Sequence, residues 1–335
     1  MTTHEPAGRP RASVVIVMRN EAHQIERCLD AVLAQQMPAD AYEVIVVDNA
    51  SADASRELVA RYAPRVRLLP LDANYGFARG NNLGARQARG DWLIFLNADT
   101  EVEPEWLPQM LAAGDANPDV ALLHAAQIYP WGQRAGASEP RRLFSDLCRW
   151  GFVRYYPAPR DAAPIETLFV SGATATVRRA WLEEAGDAFD ETFFIYAEDR
   201  DLGLRANVQG QRVLLAPAAV MRHYQRNTLE NTRKAWRMAR LVARNGWRAY
   251  LKNMYLTEFL LFIPFVLVGC LLKPFEFPGA LPRRLAAGLG LLALTLLYLP
   301  AALWHYAAHP EMRRAALARR RRPWGWLLRR LVASR

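Results

Sequence analysis

The residues able to do chemistry sit at the ends of apolar runs. Trp92–Leu96 breaks off into Asn97-Ala98-Asp99-Thr100-Glu101, and Phe193–Ala197 into Glu198-Asp199-Arg200-Asp201. Asp48 closes Tyr42–Val47, and Asn20-Glu21 follows shortly after Ser13–Val17. A hard divalent cation needs carboxylate oxygens that are not buried against apolar neighbours, and a strand end at Asp99 would provide one. The other reading of Asp99 is a β-turn or helix cap, because Asp and Asn are turn residues and Pro104 suits the first turn of a following helix. An acid pair behind an apolar run points to proton transfer. Partial burial and a like charge both raise a carboxyl pKa toward values useful to a general base. Glu198-Asp199-Arg200-Asp201 also fits a helix N-terminus, where acids complement the dipole. The two roles are compatible, with Asp199 turned into a cleft and Asp201 on the helix.

These residues need a scaffold that gathers strand ends. Residues Ser13–Val17, Tyr42–Val47, Val66–Pro70 and Trp92–Leu96 read as buried strands. Between them, Glu21–Ala34 reads as an amphipathic helix with apolar Ile25, Leu29, Val32 and Leu33; Asp53–Ala63 and Ala78–Arg89 read as two more. Strands alternating with helices predict parallel βαβ units and an α/β fold. In such sheets ligands bind outside the carboxyl ends of the strands, where Asn20, Asp48 and Asp99 would converge. A dinucleotide-binding dehydrogenase also likes an acid where Asp48 stands. Here the first strand-to-helix turn, Met18-Arg19-Asn20-Glu21-Ala22-His23, has no glycine, so the fingerprint that lets a backbone approach a pyrophosphate is missing.

The chain of 335 residues is 52% hydrophobic, enough for one large domain or two ordinary ones. Its net charge of +10 invites a nucleic-acid partner, but the distribution argues against one. From Arg226 onward there are 20 Lys/Arg and 4 Asp/Glu, a net of +16, whereas the preceding residues carry 23 and 29, a net of −6. The basic character belongs to the tail alone. Cys28, Cys148 and Cys270 are far apart and in no metal-ligand spacing, which suits a reducing compartment. Residues 1–11 contain no apolar stretch, so a disordered start without a cleavable signal peptide is expected.

Five motifs follow in order: SVVIVMRNEAHQIERCLDAVLAQ, EVIVVDNASADAS, NYGFARGNNLGARQARGDWLIFLNADTEVEPEWL, FVSGATATVRRAWLEEAG and FDETFFIYAEDRDLGLRANVQG. Through them the chain, from about Ala12 to Arg226, resembles the inverting family-two glycosyltransferases of the GT-A fold, particularly the bacterial rhamnosyltransferase-like branch. The resemblance implies a Rossmann-like nucleotide-diphospho-sugar transferase domain over residues 12–226. It implies that Asp48 hydrogen-bonds the base or ribose. Asn20, Glu21, Asn49, Asn97 and the stretch from Gly76 and Phe77 to Asn81 would line the nucleotide pocket. Ser171 and Gly172 would lie near the sugar or acceptor. Asn97-Ala98-Asp99 occupies the Asp-X-Asp place, with Asp99 as the carboxylate for Mg2+ or Mn2+. Glu198-Asp199 matches the acidic pair whose Asp is the general base. His223 falls after an expected strand, Arg212–Leu215, and a Pro-containing turn; in some relatives a histidine here touches the metal or diphosphate, and otherwise it is an ordinary strand-end histidine. Two departures stand out. Asn97 leaves one certain carboxylate, so metal affinity without nucleotide should be weak. Met18-Arg19 replaces the Thr-Tyr of many relatives, which removes an aromatic that would stack on the base, although the Arg19 guanidinium plane can stack instead.

The chemistry fits. Transfer from a nucleotide sugar needs a leaving diphosphate whose growing charge is neutralised, and a base within reach of the acceptor hydroxyl. The stretch Ala125–Ala163, rich in Pro, Gly, Trp and Arg, shows no clear periodicity and would hold acceptor loops.

The tail, 227–335, changes character. Arg233–Lys252 is helical in pattern, with seven Lys/Arg and no acid. Two apolar segments follow, 254–272 and 285–304, the second with no charge over twenty residues. Twenty apolar residues suffice to span a bilayer; the first segment reaches if Glu258 lies near the interface. Both flanks are basic and should be cytoplasmic, which permits two spans or a pair of interfacial helices held by anionic lipid, not one span. A soluble helical cap is the competing reading. The expectation is thus a metal-dependent inverting glycosyltransferase on the cytoplasmic face of a membrane, taking a nucleotide-diphospho-sugar donor and a lipid-linked or cell-envelope glycan acceptor. A non-catalytic nucleotide-binding scaffold is the alternative. The tail is too short to build the channel of a processive polysaccharide synthase. The Gly-rich, Lys-containing loop of a sugar-nucleotidyltransferase is absent.

Overall fold

The computed structural model describes residues 9–128, 141–224, 232–276 and 280–334. The expectations for residues 1–8, for 129–140 and for the junction at 225–231 lie outside the described residues.

The alternation of strand and helix is present as a parallel array. Strands β1 (Ala12–Met18), β2 (Tyr42–Asp48), β3 (Val66–Pro70) and β4 (Trp92–Asn97) are connected by α1 (Ile25–Leu33), α2 (Ser55–Ala60) and α3 (Gly76–Gln87). Next come β5 (Thr100–Val102), α4 (Trp106–Asp115), β6 (Val120–Ile128), the antiparallel hairpin β7 (Arg142–Leu147) and β8 (Val153–Pro157), and the short β9 (Ile165–Glu166). Then β10 (Thr174–Arg178), α5 (Arg179–Ala185), α6 (Glu198–Val208) and β11 (Arg212–His223) complete one mixed sheet, in the order β3-β2-β1-β4-β10-β6-β11-β5. Strand β10 runs antiparallel to both of its neighbours, β4 and β6.

Both faces of the sheet are covered at its centre, so β1, β2 and β4 carry continuous apolar runs, Val14–Met18, Val44–Val47 and Leu93–Leu96. Val14, Ile16, Val44, Val46, Ile94 and Leu96 face α1, α2 and α4; the alternate residues Val15, Ile45, Val47, Leu93 and Phe95 face α3, α5 and α6. The tail forms α7 (Thr232–Asn253), α8 (Leu256–Leu272), α9 (Leu281–Ala308), α10 (Pro310–Ala318) and α11 (Trp326–Ala333). A third core joins it to the sheet domain: Trp247, Tyr250, Phe259, Phe262, Tyr306 and Leu327 pack with Leu147, Leu168, Leu204 and Val208.

Three local expectations change. The strand expected at Arg212–Leu215 continues to His223, because the break at Pro217 is absorbed as a register shift between Ala216 and Val220. The stretch 125–163 contains the end of β6 and the hairpin β7–β8, an edge feature whose mixed exposure hides its alternation. Glu258 does not sit at an interface: it is fully buried, and both of its carboxylate oxygens meet the Arg320 guanidinium, at 2.7 and 2.8 Å.

Candidate active site

The sheet register puts the polar residues in one row. Met18 pairs with Asp48 across β1–β2, and Val17 with Asn97 across β1–β4. Asn20, Asp48 and Asn97 therefore leave the sheet at the same carboxyl edge.

On the β1–β2 side the loops are knitted together. Asn20, in a left-handed conformation at φ +57°, accepts from the Ala52 N–H at 2.8 Å and donates its own N–H to Ser51 Oγ at 3.0 Å. The Glu21 N–H donates to Ser55 Oγ at 2.8 Å. Asp48 is fully buried; Oδ1 accepts from the Ser51 N–H, and Oδ2 accepts from Arg56 Nε and Nη2 at 2.8 and 2.6 Å. Asn49 grips the turn before α3, donating to Gly76 O at 3.0 Å and accepting from the Tyr75 N–H at 2.8 Å. Gly76 has φ +82°, and a Cβ there would meet Phe194 Cδ2 at 2.5 Å and Phe194 O at 2.6 Å, so no other residue fits. The Phe77 N–H donates to Phe194 O at 2.7 Å. Asn81 is buried, with its amide turned back on Phe77 O of its own helix.

At the end of β4 three donor groups face one another. Asp99 Oδ1 lies 3.2 Å from His223 Nε2, and Asn97 Nδ2 lies 3.5 Å from the same nitrogen. Asn97 Oδ1 is buried and has no hydrogen-bond partner among the described residues. His223 arrives because β11 pairs antiparallel with β5, His223 opposite Thr100. Among the described residues no three His, Cys, Asp or Glu side chains are placed to hold a metal ion. The set is one carboxylate, one imidazole and one amide oxygen. That fits a divalent cation whose remaining ligands come from a diphosphate.

The acid pair opens α6. Glu198 is buried, and its Oε2 has no partner among the described residues. Burial, and then the Asp199 charge, push its carboxyl well above the usual range. Burial also raises Asp199, but the N–H groups of Gly172 and Arg200 hold its oxygens at 3.2 and 2.8 Å and, with the Arg200 charge, pull the other way. Of the two, Asp199 is the easier to ionise. The segment 171–173 links this pair to the β4 end: the Gly172 N–H donates to Asp199 Oδ2, and the Asn97 N–H donates to Ala173 O at 3.2 Å. Ser171 lies buried beside them.

Residues that the sequence reading passed over hold this arrangement. The backbone before the acid pair is contorted, with Phe194, Tyr196 and Ala197 at φ +64°, +69° and +67°. Asn245 on α7, fully buried, donates to the carbonyl oxygens of Phe193, Ile195 and Tyr196 at 3.1, 3.0 and 2.9 Å. Lys252 bridges Asp190 and Asp201 at 2.8 and 2.9 Å, and Asn253 donates to Asp201 at 2.8 Å. Asn82 ties α3 to Phe189 O and N at 2.7 and 3.0 Å. All three cysteines are free and buried.

Residues 13–186 match the family model described as Glycosyl transferase family 2. The chain belongs to glycosyl transferase family 2. It is similar to the O-antigen biosynthesis protein RfbC of Myxococcus xanthus, 28% identical over 65% of this chain and 18% of that one. It is also similar to the N-acetylglucosaminyl-diphospho-decaprenol L-rhamnosyltransferase of Mycobacterium tuberculosis, 27% identical over 63% of this chain and 75% of that one. The chain spans a third or less of the first curated relatives it matches, at 18%, 30% and 33% of their lengths. Among solved structures, a mannosyltransferase from Pyrobaculum calidifontis in complex with GDP-Man and Mn2+ aligns with a TM-score of 0.58 at 20% identity, over 93% of this chain and 86% of that one. GalNAc-T7 with UDP, GalNAc and Mn2+ aligns with a TM-score of 0.55 at 17% identity, over 73% of this chain and 51% of that one. The fold of this family-two chain is accordingly the GT-A-like α/β arrangement, with a helical C-terminal tail.

Proposed function

We propose that the protein transfers a sugar, with inversion, from a nucleotide-diphospho-sugar to a hydroxyl of a lipid-linked or cell-envelope glycan. The observation that carries the reading is the 171–173 segment, which ties the strand end bearing Asn97 and Asp99 to Asp199. A base thereby stands beside the place where a diphosphate would be held. The names of the relatives and the nucleotides bound in the structural neighbours support the same reading.

Asp99, His223 and Asn97 Oδ1 would hold a divalent cation, Mg2+ or Mn2+. When bound, it supplies the positive charge that stabilises the leaving diphosphate. The protein's own groups do the rest. The β1–β2 edge with Asp48, Asn49 and Gly76 receives the nucleoside. Ser171 and Gly172 border the transferring sugar. The acceptor oxygen bonds to the anomeric carbon as the bond from that carbon to the diphosphate oxygen breaks. Asp199 takes the acceptor proton, and the nucleoside diphosphate leaves with the electron pair. A single displacement of this kind inverts the anomeric centre. Glu198, the more strongly raised of the two, stays protonated beside Asp199 and spares the pair a second charge. The tail attaches the enzyme to the cytoplasmic face of a membrane, where nucleotide sugars are made and a lipid-linked acceptor would reside.

The test is a thermal-shift screen of the full-length protein against nucleoside diphosphates and their sugars, with and without Mn2+ or Mg2+. A metal-dependent rise in Tm with at least one nucleotide is expected. No shift with any nucleotide in either metal overturns the reading.

A further inference from the structure

The two apolar tail helices meet the length and composition needed to cross a membrane. Their attachments to the catalytic domain do not suit crossing. Helix α8 has seventeen residues, about 25 Å of rise, and to span a hydrocarbon core of about 30 Å its ends would have to stand on opposite faces. Instead both ends are fastened to one folded domain. Just before its start, Lys252 and Asn253 bind Asp201 of α6 at 2.9 and 2.8 Å. Just after its end, Lys273 Nζ donates to Val153 O of β8 at 2.9 Å. Between them, Gly269 sits so close to Trp150 that a Cβ would meet the Trp150 side chain at 2.4 Å. Helix α9 is held through α7, the helix that carries Lys252 and Asn253. Trp247 on α7 donates to Thr295 O at 2.8 Å, and Tyr306 donates to Arg248 O at 3.3 Å.

The outward faces are a different matter. Of the seventeen exposed large hydrophobic side chains among the described residues, fifteen lie between Leu256 and Trp324, so the exposure is concentrated in this layer. On α8 the exposed positions Leu256, Leu260, Pro264, Val268 and Leu272 recur every fourth residue as one stripe. Only 33% and 17% of the most apolar windows of the two helices are buried in the protein, too little for core helices of a soluble domain. Amphipathic groups mark both ends of the layer: Trp324 donates to Thr257 at one end, and the Arg284 guanidinium lies 5.9 Å from the Phe275 ring centre at the other. Tryptophan and arginine at the rim of an apolar face, in a chain that carries a net +16 from Arg226 onward, match an anionic lipid surface rather than a second protein.

We infer that α8 and α9 lie in the plane of the membrane, their outer leucine faces sunk into one leaflet, the inner face of α8 packed on the catalytic domain and that of α9 on α7 and α8. The inference rests on the membrane attachment proposed above and gives it a geometry: the chain is held on the bilayer without crossing it, and the α8–α9 turn remains on the same side as the active site. Such helices sink about 5–10 Å into the headgroup and acyl boundary.

The experiment inserts a polar, protease-cleavable tag after Ala280 in the full-length protein and mixes the protein with vesicles of anionic and zwitterionic lipid. Donor-nucleotide binding checks that the tagged protein is folded. A polar tag cannot rest in hydrocarbon, so it reports one side or the other. Flotation with the anionic vesicles, with cleavage by added protease while an enclosed marker protein survives, is the expected result. Flotation with a tag protected until detergent is added overturns the in-plane geometry and leaves membrane attachment standing as a two-span hairpin. Failure to float, with a dimer forming in solution, overturns attachment itself and assigns the apolar face to a second copy.

Discussion

Removing the Asn245 amide isolates the contribution of α7 to the acid pair. Its Nδ2 has two protons and faces three carbonyl oxygens, those of Phe193, Ile195 and Tyr196. Non-glycine residues at positive φ, three of them in this stretch, cost roughly 1–3 kcal/mol each and persist only where surrounding contacts hold them. A buried acceptor left without its donor costs about 1–3 kcal/mol. Losing the amide should therefore cost at least ~2 kcal/mol, about 30-fold in the equilibrium constant for ordering the turn. Asn245→Ala is expected to lower kcat by up to about that factor. Asn245→Asp, the same size but unable to donate, should do as badly or worse. Nucleotide affinity should fall less, because Asp48 and Asn49 are held by other contacts. Turnover is read as nucleoside diphosphate release at saturating donor and acceptor, with nucleotide Kd from calorimetry and Tm alongside. If Asn245→Asp keeps wild-type turnover and Tm, the amide is not what orders the turn, and the reasoning fails.

Five further outcomes follow, four from the site and one from a buried acid outside it. Asp199→Asn should abolish transfer and leave nucleotide affinity near normal; equal loss of both would assign Asp199 to the donor or to folding. Because burial raises the Asp199 carboxyl, the base is protonated, and kcat should fall, as pH drops through a value above the ordinary carboxylate range; a profile flat down to pH ~4 would contradict this. Asp99→Ala should remove nearly all turnover, and wild-type turnover that survives a chelator would exclude the metal role. Asp48→Ala should weaken nucleotide binding while activity survives at saturating donor; unchanged affinity by calorimetry would sink the assignment. Asp146, raised by burial to about 6 despite accepting the Leu147, Leu168 and Phe169 N–H groups, keeps its proton longer in the folded state than in the unfolded one. Its contribution to stability is therefore present at low pH and lost as pH rises through about 6. Asp146→Asn should have little effect below the ordinary carboxylate range and raise Tm progressively as pH climbs to about 6, which Tm against pH will show.

Local pattern determined the parallel half of the sheet. Alternate residues of β1, β2 and β4 face two covered layers, and that leaves uninterrupted apolar runs ending in polar residues, a signal contained within each run. The same runs put Asn20, Asp48 and Asn97 at one edge, and the motifs that follow carried the family. What the sequence could not display is any contact between distant segments. Pro217 read as the end of a strand, yet the bulge carries β11 on to His223, and only pairing with β5 brings that imidazole to Asp99. Arg233–Lys252 read only as a helix with seven Lys/Arg and no acid, because charge along a segment does not reveal which face the rest of the chain will cover. Tertiary packing turned Lys252 onto Asp190 and Asp201 and buried Asn245 under the turn that precedes Glu198 and Asp199. Likewise, length and composition allowed α8 to be a span. Its fastening at both ends to one folded domain depends on Asp201 and Val153, residues that no reading of α8 alone would connect with it.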